Sequence, residues 1–181
     1  MKVSTTPLHG VLLLEGLLHR DERGNFTELY NQRQFQAATG LNVDFVQDNL
    51  SHSRHHVLRG LHYQVVEPQG KLIRVLQGEV FDVIVDLRRS SPSFGRWTSF
   101  RLCGEQPQSL WVPPGIAHGF LTLSASADCL YKTTTHYAPQ HERCLRWDDP
   151  TLNIDWPLST APVIAAKDRT GQSWPDAEKF D

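Results

Sequence analysis

The chain has 181 residues, with 18 lysine and arginine residues against 20 aspartate and glutamate, a formal net charge of −2. That balance excludes the broad basic field that draws proteins to nucleic acid or acidic membranes, so any anion site must be local. No run reaches the ~20 apolar residues of a membrane span, Val11–Leu14 lacks the length and basic flank of a signal peptide, and three scattered cysteines exclude a disulfide framework and point to the cytoplasm.

In chain order, residues 7–18 read as one or two early strands, and Asn31–Thr39 as the best helix, stopped by Gly40. Phe45–Gln47 reads as a strand entering Asp48-Asn49, and the cluster holding His52, His55 and His56 as an exposed loop. Leu58–Gln64 reads as a strand. Lys71–Leu76 and Glu79–Leu87 flank Gln77-Gly78, which reads as a hairpin turn. Along the second of these, Phe81, Val83, Val85 and Leu87 fall on one face, and Val80, Asp82, Ile84 and Asp86 on the other. Further strands are expected at Thr98–Cys103, Ser109–Val112, Gly119–Leu123 and Asp128–Thr134. From Asp148 the pattern is irregular, with Pro150, Pro157, Pro162 and Pro175, and reads as a tail wrapping the β-core. The prediction is a mainly β fold, one domain over 1–181. Its architecture is a jelly-roll barrel with a few short helices and an irregular C-terminal tail.

The stretch richest in chemistry is Leu58-Arg59-Gly60-Leu61-His62-Tyr63-Gln64. Imidazole exchanges protons near neutral pH, and guanidinium is a fixed cation whose fork suits phosphate. Together they suggest an enzyme acting on a phosphorylated or nucleotide-linked substrate. Strict alternation puts Arg59 and His62 on opposite faces of a strand; a bulge at Gly60 would bring them together. Lys71, at a strand start, is either an edge lysine or a cation for a developing oxyanion. Tyr131 is a packing tyrosine or a general acid, and Asp168 a surface carboxylate or the partner orienting His62. Arg23, in Asp21-x-Arg23-Gly24-x-Phe26-x-Glu28, is a hairpin-tip charge or a phosphate clamp. No glycine-rich phosphate loop occurs, so a nucleotide would have to be held by side chains.

Pro113-x-Gly115-x-x-His118, ahead of Gly119-Phe120, resembles the second signature of the cupins, small jelly-roll barrels. The first signature would fall at Gly60–Gln64, where only His62 is a ligand type and Gln64 replaces the second histidine. Too few ligands converge for a stable transition-metal site, so no metal is expected.

Taken together, the motifs resemble the dTDP-4-dehydrorhamnose 3,5-epimerase family of the cupin superfamily. The resemblance runs in order through Asp21-x-Arg23-Gly24-x-Phe26-x-Glu28, Phe45-Val46-Gln47-Asp48-Asn49 and Val57–Gln64. It continues through Gln69-Gly70-Lys71, Asp82–Arg88, Pro113–Phe120, Tyr131-Lys132-x-Thr134, Trp147-x-Asp149-Pro150 and Lys167-Asp168. It implies a cofactor-independent, metal-free isomerase acting on a dTDP-linked 4-keto-6-deoxy sugar. The implied catalytic residues are His62 as base, Asp168 as its partner, Lys71 at the enolate oxygen and Tyr131 as acid. It further implies diphosphate contacts at Arg59 and Arg23, and substrate or nucleotide contacts at Phe26, Glu28, Gln47 and Asn49. His118, Tyr137, Glu142 and Lys167 match pocket positions of less defined role. A homodimer with exchanged strands is also implied. The loop Val65-Val66-Glu67-Pro68 and the tail with Trp174-Pro175 depart from the family pattern. Epimerisation at a single carbon, ketoisomerisation and plain nucleotide-sugar binding are the alternatives on the same frame.

Overall fold

A computed structural model describes residues 1–181. The strands in chain order are β1 (Lys2–Thr5), β2 (Leu12–Glu15), β3 (His19–Asp21), β4 (Gly24–Phe26), β5 (Gln47–Arg54), β6 (Val57–Gln64) and β7 (Lys71–Gln77). There follow β8 (Glu79–Asp86), β9 (Trp97–Cys103), β10 (Gln108–Val112), β11 (Ile116–Thr122), β12 (Ser126–Thr133), β13 (Glu142–Cys144) and β14 (Val163–Ile164). The helices are α1 (Gln32–Thr39) and α2 (Ala166–Arg169). None is long and apolar enough to cross a membrane.

Two sheets carry the fold. One runs β1-β2-β10-β7-β12-β5, the other β13-β6-β11-β8-β9, with β14 lying parallel beside β6. The mainly β, jelly-roll expectation holds, although the sheets stay two facing layers and do not close into one barrel. Between them lies a core of Ile73, Val75, Leu110 and Val112 from one sheet against Val80, Ile84, Ile116 and Phe120 from the other. The opposite face of β8, with Val83 and Val85, packs with Leu58 and Leu61 under the C-terminal tail residues Leu152, Trp156 and Ala177. Both faces of β8 are therefore buried, so apolar residues occur in both of its alternating rows, with Asp82 and Asp86 buried among them on the inward one.

Several local readings stand and several are corrected. Helix α1 forms where expected: the Asn31 side chain accepts from Gln34 N–H at 3.2 Å, and Gly40, at φ +72°, ends it. The first strands are shorter than residues 7–18 suggested, one of them lying upstream. His52 is not in a loop; it lies in β5, and only His55 and His56 turn the chain into β6. Gln77-Gly78 is not a hairpin turn. β7 and β8 do not pair; they belong to different sheets, and Gly78 marks the corner between them. The short strand β13 has no counterpart in the sequence reading.

The irregular tail is anchored more firmly than its prolines suggest. Trp156 donates its indole N–H to Trp147 O, and Trp97 donates to Leu152 O, each at 2.8 Å. Leu152 and Trp156 are buried with them, each large apolar side chain contributing about 1.5–3 kcal/mol. This docking sets β14 beside β6 and delivers α2 to the site described next.

Candidate active site

A cavity of about 580 Å³ opens between the two sheets. One wall carries Gln47, Asn49 and Ser51 of β5, Lys71 of β7 and Tyr131 of β12; the other carries Arg59 and His62 of β6 and His118 of β11. Asp168 and Lys167 reach it from α2, Tyr137 and Glu142 from the segment ending at β13.

Arg59 and His62 share the cavity because β6 bulges. His62 pairs with His118 and Arg59 with Phe120, so Gly60 and Leu61 together oppose the single residue Gly119. The extra residue cancels the odd spacing and turns both side chains inward. Gly60 sits at φ +103°, and a Cβ there would lie 2.6 Å from His118 O, so the position admits only glycine.

His62 Nε2 lies 2.7 Å from Asp168 Oδ1, while Asp168 Oδ2 accepts the Gly60 N–H at 3.1 Å. Asp168 is only 2% exposed. Burial would raise its pKa, but the hydrogen bond and charge of His62, the Gly60 N–H and Lys167 outweigh it and hold the carboxyl below its ordinary range. An ionised carboxylate is acceptor-only, so neutral His62 must carry its hydrogen on Nε2. Its Nδ1 lone pair is then free to take a proton.

Facing it from the other sheet, Tyr131 places its hydroxyl 3.2 Å from Ser51 Oγ. Burial first, then the nearby Cys129, drives the phenol pKa well above its ordinary value, so Tyr131 stays protonated across the neutral range. Lys71 reaches toward His62 O at 3.5 Å. Its pKa is lowered by burial to about 8, with Glu142 and Asp82 partly restoring it. Arg59 is fixed by Ser53 Oγ at 2.9 Å through Nε and by His52 O at 3.2 Å through Nη2, which leaves Nη1 for an incoming anion. Glu142 accepts Lys167 at 2.8 Å and Tyr137 OH at 3.2 Å. Burial alone would raise its pKa, but the Lys167 bond and the His62 charge hold it low.

Gln47 and Asn49 are linked at 2.8 Å, and the Gln47 side-chain oxygen accepts Tyr137 N–H at 2.9 Å. Gln64 does not face the cavity; its amide spans Glu67 O and Ala138 N. Arg74, three residues after Lys71 on β7, does not line the cavity; it bonds Thr27.

Arg23, Phe26 and Glu28 lie apart from this cavity. β3 and β4 form an exposed hairpin, where Arg23 bonds Asp21 and Phe26 is 71% exposed. Glu28, just beyond, accepts from Asn31. The sequence reading missed Asp82, whose Oδ2 holds His118 Nε2 at 2.7 Å in a pair at most 5% exposed, and Ser51 beside Tyr131. Asp82 had a legible sign, a carboxylate set between Val80 and Ile84 on the inward row of a largely apolar strand. Ser51 had none.

The geometry matches known proteins along the whole chain. The family described as dTDP-4-dehydrorhamnose 3,5-epimerase matches residues 5–176. A Pseudomonas aeruginosa protein named dTDP-4-dehydrorhamnose 3,5-epimerase is 53% identical, covering 99% of each chain. A Legionella pneumophila 3,5-epimerase solved in complex with dTDP-4-keto-L-rhamnose superposes with a TM-score of 0.94 at 42% identity, covering 98% of this chain and 94% of that one. A Bacillus anthracis dTDP-4-dehydrorhamnose 3,5-epimerase solved with TDP and PPi gives 0.91 at 41% identity, over 95% and 98%.

Proposed function

The chain belongs to the dTDP-4-dehydrorhamnose 3,5-epimerase family, and on that footing we propose that it inverts carbons 3 and 5 of dTDP-4-dehydro-6-deoxy-D-glucose, giving dTDP-4-dehydro-L-rhamnose. It is an isomerase. The ketone at carbon 4 acidifies the hydrogens on both neighbours. His62 Nδ1 removes one as a proton, leaving an enolate. Lys71 offsets the charge on the enolate oxygen, where a preorganised cation in a partly dry site is most effective. Tyr131 then donates its proton to the opposite face of the planar carbon, and the carbon is inverted. Arg59 receives the diphosphate. Gln47 and Asn49 meet the substrate, and Tyr137, Glu142 and Lys167 line its approach. His118, clamped by Asp82, backs the reacting ring. No metal or cofactor is required by this chemistry.

The observation that carries the reading is the opposition of two proton-transfer groups. His62, held by Asp168 of α2, lies on one sheet and Tyr131 on the other. Incubation with the substrate in deuterium oxide tests it. NMR should show deuterium at carbons 3 and 5 with inversion at both. Label at one carbon would reduce the activity to single epimerisation, and no label would overturn the base assignment.

Lys71 adds a pH signature. Its ammonium form, the one that stabilises an enolate, dominates below a pKa of about 8 and is lost above it. The turnover number should therefore fall as pH rises through about 8. Lys71→Arg, charged at every accessible pH, should move that alkaline limb upward. A wild-type profile flat well beyond the Lys71 pKa would remove lysine from the mechanism.

We further propose a homodimer in which the β3–β4 hairpin presents Arg23 and Phe26, with Glu28, to the partner's cleft. Their distance from their own cleft, the exposure of Phe26 and the implied strand exchange support this. Sedimentation should give the mass of two chains at assay concentration; a single-chain mass in active enzyme would overturn it. Unpaired thiols at Cys103, Cys129 and Cys144 favour the cytoplasm.

A further inference from the structure

We propose that His62, Cys144 and Asp168 form an inhibitory site for a thiophilic divalent cation, zinc above all. Cys144 plays no part in the chemistry proposed above, yet its β13 position pairs directly with His62 on β6, so the two side chains are cross-strand neighbours. Its Sγ lies 4.0 Å from the same Asp168 Oδ1 that holds His62 Nε2 at 2.7 Å. The imidazole nitrogen, the thiol and the carboxylate all fall within 4.8 Å of one another.

Tetrahedral zinc binds nitrogen, sulfur and oxygen at about 2.0–2.3 Å, which sets its donors roughly 3.3–3.7 Å apart. The trio reaches that spacing if the His62–Asp168 contact opens and the Cys144–Asp168 contact closes, each by roughly half an ångström, and the His62–Cys144 separation, within 4.8 Å, closes by up to about 1 Å. Nitrogen, thiolate and carboxylate are the donor types zinc takes, and three protein ligands leave its fourth position to water. His62 and Asp168 line the cleft, so an ion has a route in. Binding releases the Cys144 thiol proton to solvent.

Inhibition follows from the tautomer. With a cation on Nε2, neutral imidazole must carry its one hydrogen on Nδ1, the atom that otherwise takes the substrate's proton. This consequence rests on His62 being the base; the binding itself does not.

Two measurements separate binding from inhibition. Cobalt(II) added to the full-length protein should produce a thiolate-to-cobalt charge-transfer band. The band should be absent from Cys144→Ser and from Cys144→Ala. Both variants should retain wild-type turnover and need roughly tenfold or more zinc for half-inhibition, because the soft sulfur ligand is gone. A wild-type protein without the band, a band that persists in both variants, or equal zinc sensitivity in all three proteins would overturn the site. Binding with the band but without inhibition would leave the metal site standing and remove His62 as base.

Discussion

Replacing His62 with Asn is expected to lower turnover by ~10²–10⁴-fold, the usual contribution of a positioned general base. The substitution suits the site. An Asn amide can donate to Asp168 as the imidazole does, so the buried carboxylate keeps a partner, and its second oxygen keeps the Gly60 N–H. The anion contact proposed for Arg59 does not depend on His62, because Arg59 is anchored by Ser53 and His52. Calorimetry with dTDP should therefore give near-wild-type affinity while deuterium entry at carbons 3 and 5 disappears. Retained exchange at the wild-type rate would mean that another group is the base. Lost exchange together with lost dTDP binding would mean that the variant had collapsed the cleft.

Tyr131→Phe should have a comparable effect on inversion with a different signature. Phenylalanine fills the same volume, and only the hydroxyl facing Ser51 is lost. His62 remains able to remove a proton and to return a deuteron to the same face. Deuterium should thus continue to enter the sugar while inversion falls by ~10²–10⁴-fold. Burial keeps the wild-type phenol protonated, so this loss should not depend on pH across the neutral range. Exchange and inversion falling by equal factors would argue that Tyr131 positions the substrate and donates nothing.

How much of this was legible in the sequence depends on how local each feature is. The two faces of β8, the limits of α1 and the strand bearing His62 follow from periodicity and capping, which are properties of a few adjacent residues. Gln77-Gly78 shows the limit of such signals. A glycine at φ +76° serves a hairpin and a corner between sheets equally well. The difference lies in β7 pairing with β10 and β12, far along the chain. Asp168 is a sharper case. In a proline-rich tail it resembles a surface carboxylate, and its burial arises from β14 docking on β6 and from tryptophans packed elsewhere in the tail. Its pairing with His62 came from family resemblance, as did Tyr137, Glu142 and Lys167. Asp82 needed only a physical question about why an inward row carries a charge. His118, its partner, lies on another strand, so the question had no local answer.

The bulge at Gly60 also bears on how such a site can change over time. Substitutions around the cleft adjust it by degrees, one side chain at a time. The bulge allows no such gradation. Flattening it at unchanged length would not displace the imidazole by a fraction of an ångström; it would invert the parity of everything after it. His62 would swing to the far side of the sheet, into the layer packed beneath the tail, and Leu61 would take its place in the cleft. Losing one residue together with the bulge would instead leave Arg59 and His62 two apart in regular alternation, both still facing the cavity, so the bulge and its extra residue can only be gained or lost as one.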